Sequence, residues 1–347
     1  MNFSKSLIDW YLQNKRDLPW RNTKDPYHIW LSEIILQQTK VNQGLSYYKA
    51  FIHNFPTVFD LAKADEKEVL NIWQGLGYYS RARNLHFSAK YIVQELQGEL
   101  PKTYAGLLKL KGVGDYTASA IASICYKEPT AVVDGNVYRV LSRYFAIDIA
   151  INSTKGIKEF KKLAQQLINI KNPDIHNQAI MEFGAMQCKP QNPNCTICPL
   201  NTSCGALQKN IISKLPIKLK KGTIKKRYFN FIVLTNPYKQ TYITQRNSKD
   251  IWQGLYQFPL LETSKEISKK ELIKTSFFNK LTIKHLGTDI FLFNKKTSIH
   301  KLSHQHLFVK FWILNSPNRI ENAILWSDLK NYPVPILIHN FVENYKR

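Results

Sequence analysis

No stretch of these 347 residues approaches the roughly 20 apolar positions that a membrane-spanning helix needs. The first apolar run, around Leu7 and Tyr11, is interrupted by Lys5 and Asp9, so it reads as an amphipathic helix and not as a secretion signal. Acids are scarce: 25 Asp and Glu stand against 49 Lys and Arg, a formal net charge of +24. A globular chain this short of acid is expected to meet a polyanion, nucleic acid first and an anionic membrane surface second. No internal repeat divides the chain, and its length leaves room for two domains with proper cores.

Cysteine is scarce as well, and its distribution is uneven. Four of the five, Cys188, Cys195, Cys198 and Cys204, fall in one C-x6-C-x2-C-x5-C stretch, while Cys125 sits in an apolar helical run. A tetrad with one left over excludes a disulfide framework and reads as a metal site plus a buried thiol. A short loop costs little entropy to order once a metal crosslinks it. All-cysteine ligation leaves two candidates, a tetrahedral zinc or a [4Fe–4S] cluster. Zinc sites usually pair two C-x2-C hooks; the single hook here favours the cluster. Reduced thiols without an export signal point to a cytoplasmic protein.

The hydrophobic period changes along the chain. Up to about Cys204 it is helical, with Leu7, Ile8, Tyr11 and Leu12 as the first example. Asp25 followed by Pro26 marks a helix start, and the helix is expected to run through Trp30, Ile34, Ile35 and Val41. Residues 209–227 carry Lys209, Lys214, Lys218, Lys220, Lys221, Lys225, Lys226 and Arg227 and no acid, which reads as a basic linker, solvated or touching phosphates. Beyond it, residues 228–235 and 307–314 alternate as strands do, a helix is expected after Ser264, and another from Pro335. The expected fold is therefore multi-domain: an all-α domain over 1–208, the linker over 209–227, and an α+β domain over 228–347.

Chemistry concentrates in the helical half. Residues 110–117, Leu-Lys-Gly-Val-Gly-Asp-Tyr-Thr, join two helical patterns, and the glycines Gly112 and Gly114 let the backbone present N–H groups at a helix N-terminus. Such a turn binds a phosphate oxygen without reading sequence. Asp134, in Val133-Asp-Gly-Asn-Val137, opens another helix, where it is either a plain N-cap or an ionised carboxylate that stabilises a developing sugar cation. Glu33 lies on one face with Trp30 and Gln37 among apolar neighbours. If buried there, its neutral form is favoured and it becomes a general acid. One ionised and one protonated carboxylate is the arrangement glycosidic cleavage requires.

Hairpin, aspartate and cysteine tetrad in this order resemble the helix-hairpin-helix superfamily of DNA glycosylases, and the tetrad's spacing is similar to that of the endonuclease III branch. Within it, Leu18-Pro-Trp-Arg21, Trp30-Leu-Ser-Glu33, Leu36-Gln-Gln-Thr39, residues 74–83, Val133-Asp-Gly-Asn-Val137 and Asn177-Gln-Ala179 resemble the adenine DNA glycosylases. The resemblance implies a base-excision repair enzyme acting on double-stranded DNA with adenine opposite 8-oxoguanine or guanine, one [4Fe–4S] cluster, and a monomer working on the bacterial nucleoid. It implies Glu33 as the acid that protonates adenine, Asp134 as the stabiliser of the oxocarbenium ion and Tyr116 in support. Trp20, Arg21 and Gln178 form the adenine pocket, Gln38 and Tyr78 fill the gap around the opposing base, and Thr39, Gly112, Gly114 and Asn136 contact DNA. Lys189 and, where the linker is not a plain solvated tether, its lysines are the expected phosphate partners.

Lyase relatives carry a lysine at the position of Tyr116, whose amine forms a Schiff base with the sugar. A phenol cannot, so a hydrolase without strong lyase activity is implied. The second domain resembles a Nudix fold around Gly254, but Glu262, Glu266 and Glu271 lack the spacing of a Nudix acid box. Leu302-Ser-His304 resembles the family's 8-oxoguanine-recognising loop, with Leu302 where phenylalanine is usual and Ser303 and His304 retained.

Overall fold

Helix N-caps and small-residue faces decide most of the helical half. A computed structural model describes residues 3–220, 222–285, 289–294 and 297–345. Lys221 of the basic stretch lies outside them. The chain forms two compact units, one of Met1–Ala64 with Asn84–Lys220 and one of Asp65–Arg83 with Lys221–Arg347.

In the first unit the chain runs through α1 (Phe3–Asn14), α2 (Pro26–Leu36), α3 (Val41–Asn54) and α4 (Val58–Lys63). After α5 (Glu66–Ile72), which belongs to the other unit, come α6 (Ser80–Glu95), whose residues up to Arg83 also belong to the other unit, α7 (Tyr104–Leu107), α8 (Asp115–Tyr126), α9 (Gly135–Tyr144), α10 (Thr154–Leu167) and α11 (Pro173–Met186). The short α12 (Gly205–Gln208) follows. As the sequence implies, the Asp25 carboxylate caps α2 by accepting from the N–H groups of Tyr27 and His28. α2 does not continue to Val41. It ends at Leu36 because Gln38 adopts φ +58°, and α3 starts afresh after Lys40. α8 is lined with Ala118, Ser119, Ala120, Ala122 and Ser123, all buried, and these small side chains bring it against α2 and α11.

The second unit is built on a five-stranded sheet. Its strands are β1 (Lys225–Thr235), β2 (Leu260–Thr263), β3 (Asp289–Leu292), β4 (Ser298–Lys301) and β5 (Gln305–Asn315). Their order is β2-β1-β5-β3, with β4 also paired to β5. β1 and β5 run parallel from Lys225 opposite Gln305 to Thr235 opposite Asn315, and the other pairs are antiparallel. The alternation read from the sequence is resolved into two buried faces. Phe229, Phe231, Val233, Leu307, Val309 and Phe311 pack on Ile338 and Phe341 of α15 (Ile336–Asn344). Ile232, Leu234, Trp312 and Leu314 pack on Leu272 and Phe278. Each fully buried aromatic contributes roughly 1.5–3 kcal/mol.

The helix expected after Ser264 begins instead at Lys269 as α13 (Lys269–Leu272), because Ser268 and Glu271 form the capping box; α14 (Ser276–His285) follows. The strand β1 starts at Lys225, inside the stretch that reads as linker. Arg227 is no solvated cation: it is 8% exposed and bonds Asp250 and Glu262. Within this unit α5 docks on the C-terminal segment, where Asn71 donates to the Asn331 carbonyl and Lys67 lies over the Tyr332 ring.

Candidate active site

The first unit holds a cleft of about 680 Å³ between α2, α8, α9 and α11. Trp20, Arg21, Glu33, Thr39, Tyr116, Asp134, Asn136 and Gln178 all line it, so eight of the residues picked out by sequence stand around one space. Gln38, Gly112 and Gly114 do not line it.

Glu33 projects from the buried face of α2 and is 8% exposed. Burial pushes its carboxyl up to about 7; the Tyr116 hydroxyl opposes this by hydrogen bonding, and the Asp134 charge adds to it. The Tyr116 hydroxyl lies within reach of two acceptors, the Glu33 carboxyl and Met181 Sδ at 3.1 Å. Glu33 is therefore a buried acid poised near neutrality and not a solvent-facing side chain.

Asp134 is both a cap and a site residue. Its Oδ1 accepts from the backbone N–H groups of Asn136 at 2.9 Å and Val137 at 2.8 Å, and its Oδ2 accepts from the Asn136 side chain at 2.8 Å. Burial raises its pKa, while these donors and the Arg139 charge pull it back. The strap before it is fixed by buried Asn177, which accepts from the Val132 N–H and donates to the Thr130 carbonyl and Ser123 Oγ.

The same cleft carries a cationic pair that sequence patterns reveal only in part. Glu182, 1% exposed, accepts from Arg16 at 2.6 Å and from Arg21 at 2.6 Å. Burial alone would raise its pKa, but these two guanidinium groups hold it at about 2. Arg16, Met181 and Glu182 are site residues beyond those read from the sequence. Glu182 lies four residues after Gln178 on α11, and that spacing was its only sequence signal. Gln178 accepts from the Tyr11 hydroxyl at 2.9 Å.

At the hairpin between α7 and α8, Gly112 has φ +85°, and a side chain there would meet Asn84 at 2.8 Å. Gly114 is the N-cap residue of α8, and a side chain added there would meet nothing within 4 Å.

The four cysteines after α11 line a single small cavity, and none is in a disulfide. Among the described residues no three His, Cys, Asp or Glu side chains converge closely enough to hold an ion. The donor set nonetheless fits a sulfur-ligated centre. Burial pushes the Cys198 thiol up to about 11, so a thiolate there needs a positive centre beside it. Backbone N–H groups of Leu200 and of Ala206 and Leu207 point at the sulfurs of Cys198 and Cys204. Arg143, 2% exposed, donates to the carbonyls of Lys189 and Pro190 and lies 3.5 Å from Cys188 Sγ, with no carboxylate partner among the described residues.

In the second unit, Tyr78, Ser303 and His304 line a different cavity, of about 380 Å³, with Trp252, His300 and Leu302. Leu302 packs on the aromatic core beside Trp252.

Residues 31–168 match the HhH-GPD superfamily of base excision DNA repair proteins, and residues 230–344 match the NUDIX domain. Hairpin, two-carboxylate cleft and these matches define the class, a helix-hairpin-helix base-excision repair protein carrying a Nudix-like domain. A thermostable thymine-DNA glycosylase shares the helical fold with a TM-score of 0.55 and 28% identity, over 60% of this chain and 95% of its own. The adenine DNA glycosylase of Buchnera aphidicola (subsp. Schizaphis graminum) is 35% identical over 332 residues, 95% of this chain and 93% of its own length. The human adenine DNA glycosylase is 46% identical over 216 residues, 60% of this chain and 40% of its own. The chain belongs to the adenine DNA glycosylase family.

Proposed function

We propose that the protein hydrolyses the N-glycosidic bond of adenine paired with 8-oxoguanine, or with guanine, in double-stranded DNA. The observation that carries this reading is the pairing in one cleft of Glu33, poised at about 7, with the N–H-bonded carboxylate of Asp134. The first can hold or release a proton near neutral pH; the second, though burial raises its pKa, is met by N–H donors that favour its charged form.

The target adenine must first leave the stack, at a cost of roughly a few kcal/mol that a mismatch lowers. Gln38 at φ +58° and, in the second unit, half-exposed Tyr78 at φ +48° are each assigned to the gap around the opposing base. Trp20, Arg21 and Gln178 bound the adenine pocket, and Thr39 and Asn136 line the same cleft. Glu33 delivers its proton to N7, so the base departs neutral. Asp134 stabilises the oxocarbenium ion or traps it covalently, and water activated by the now ionised Glu33 completes hydrolysis to an abasic site. Tyr116, where lyase relatives carry lysine, has no amine to form an imine and leaves the enzyme monofunctional.

Gly112, Gly114 and the first turn of α8 hold backbone phosphate without reading sequence. Cys188, Cys195, Cys198 and Cys204 would hold a [4Fe–4S] cluster, which supplies a crosslink ordering the loop beside Lys189. In the second unit, Ser303 and His304 recognise the opposing 8-oxoguanine. No helix among the described residues is long and apolar enough to cross a membrane. The protein acts as a monomer on nucleoid DNA in the cytoplasm.

Single-turnover cleavage of a labelled duplex with one adenine opposite 8-oxoguanine, quenched with and without alkali, tests the reading. Scission at the adenine only after alkali is expected. No cleavage of this duplex or of an adenine–guanine duplex by iron-loaded protein would overturn it.

A further inference from the structure

Apart from Glu33 and the exposed Asn42, every carboxylate and side-chain amide oxygen on the wall of the first unit's cleft already carries a donor from the protein. Asp134 is filled by the Asn136 and Val137 N–H groups and by the Asn136 side chain. Asn136 Oδ1 accepts from Arg139 at 2.8 Å. Glu182 Oε1 accepts from the Arg16 N–H at 3.0 Å, from Arg16 Nε at 2.8 Å and from Arg21 at 3.0 Å. Its Oε2 accepts from each of the two guanidinium groups at 2.6 Å. Last is Gln178, whose Oε1 is taken by the Tyr11 hydroxyl at 2.9 Å.

Tyr11 stands on α1, is 4% exposed and is not among the residues that line the cleft. Its ring is held in place by cations: Arg21 lies over it at 5.5 Å and Lys15 at 5.8 Å. Arg21 is itself fixed, by Glu182 and by the Arg16 carbonyl at 2.8 Å. Gln178 does line the cleft, and its Nε2 is accessible and has no hydrogen-bond partner among the described residues. The amide is planar, so an oxygen committed to Tyr11 leaves the NH2 group as the end free for a ligand. Turned over, the amide would donate to the phenol and strand the buried Tyr11 O–H without an acceptor. The orientation of one amide is thus set from outside the cleft.

We infer that Tyr11 is a specificity-determining positioning residue: by holding Gln178 Oε1 it presents the amide NH2 to the excised base, which must offer an accepting ring nitrogen there. A flipped base is read on its Watson–Crick edge, and with Glu33 assigned to N7 that edge is left to Gln178. Adenine has an accepting N1. Hypoxanthine and guanine carry N1–H, which sets donor against donor, and no unfilled amide or carboxylate oxygen beside Gln178 takes up that hydrogen. A site built to hydrogen-bond one group rejects the analogue that leaves its polar atoms unpaired. The inference rests on reading the cleft as the adenine pocket.

The test is the ratio of single-turnover rates on two duplexes, one with adenine and one with hypoxanthine opposite 8-oxoguanine. All variants are full chains, with melting temperature as the folding control. Tyr11→Phe keeps the ring and removes only the hydroxyl. It frees the amide to turn its oxygen to N1–H, so the ratio is expected to fall about fivefold, the scale of one hydrogen bond. Gln178→Ala is expected to lower the ratio too, and adding Tyr11→Phe to it is expected to change nothing further, because Tyr11 acts through the amide. If Gln178→Ala lowers the ratio and Tyr11→Phe does not, the inference is overturned and the pocket stands. A Tyr11→Phe effect that persists without Gln178 overturns it as well. If Gln178→Ala leaves the ratio at the wild-type value, Gln178 does not meet the base, and its place in the pocket falls together with the inference. Should Tyr11→Phe not fold, Gln178→Glu decides: it puts an acceptor at the same position, and an unchanged ratio would rule out a donor there.

Discussion

The Asn136 side chain donates to Asp134 Oδ2 at 2.8 Å, and Arg139 in turn donates to Asn136 Oδ1 at 2.8 Å and to the Cys188 carbonyl at 2.8 Å. The Asp134 carboxylate is thus held by one turn of α9, and that turn is tied to the first cysteine of the tetrad. Replacing Asn136 with Ala removes one of the donors that lower the Asp134 pKa. Asp134 must be ionised to stabilise a cation, so the acidic limb of the single-turnover pH–rate profile is expected to move to higher pH, with the rate at pH 8 changed least. An unmoved acidic limb would separate Asp134 ionisation from catalysis.

Asp134→Asn keeps an oxygen that can accept from the Asn136 and Val137 N–H groups, so the cap survives while the charge is lost. A fall in single-turnover rate of about 10²–10³-fold is expected with an unchanged melting temperature. A variant that keeps its rate would reduce Asp134 to a helix cap.

Glu33→Gln is expected to bind mispaired DNA and not to cleave it, a loss of about 10²–10⁴-fold. The same change should stabilise the fold above neutral pH. The folded pKa of Glu33, about 7, lies above the unfolded value of 4.5, so the native state holds the extra proton. Stability from this group is complete below pH 4.5 and is lost as pH rises through 7. Glutamine removes that loss, so Glu33→Gln should exceed wild type at pH 8 by up to about 3 kcal/mol and converge with it near pH 4.5. Urea titrations at the two pH values read the difference directly.

The placement of the candidate site was legible where motifs fix residue types at set spacing: Glu33 and Asp134 come to one cleft, and the four cysteines to one cavity. Arg16 and Glu182 were not, because an acid on a helix gives no sign that two arginines from 161 and 166 residues earlier will close on it. Arg227 misleads for the same reason: in the sequence it ends a run of lysines, while Asp250 and Glu262 reach it only through the sheet and the loop after it. The break after Leu36 was hidden because nothing in Gln37 or Gln38 marks a left-handed backbone. The strands of the second unit were plain because β1 alternates between two apolar faces.

Tyr116→Lys tests whether this position decides between hydrolysis and lyase chemistry. Borohydride should trap a covalent adduct of the variant with substrate DNA, whereas wild type gives none. Tyr116→Phe should instead move the basic limb of the rate profile upward, because the tyrosine hydroxyl is what opposes the raised pKa of Glu33. A basic limb that stays in place would break the link between the two residues.

Cys198→Ala is expected to lower the iron and sulfide recovered per chain without unfolding α1 to α11, since those helices pack on their own apolar faces. DNA affinity should fall with the iron while far-ultraviolet circular dichroism changes little. Retention of full iron content would remove Cys198 from the ligand set.

The second unit is not one continuous piece of chain. Residues 65–83 belong to it, and they are held there by Asn71 on the Asn331 carbonyl, by Gln74 accepting from the Val334 N–H, by Lys67 over Tyr332 and by Arg83 on the Gln253 carbonyl. A gene truncated after codon 220 would therefore make a helical fragment with a loose insert, its docking surface left behind in the missing half. A fragment beginning at 221 would lack the α5 segment and Tyr78 from its cavity wall. In evolutionary terms the two parts could not be shuffled as cassettes by one crossover: any exchange must carry a second, internal graft with it.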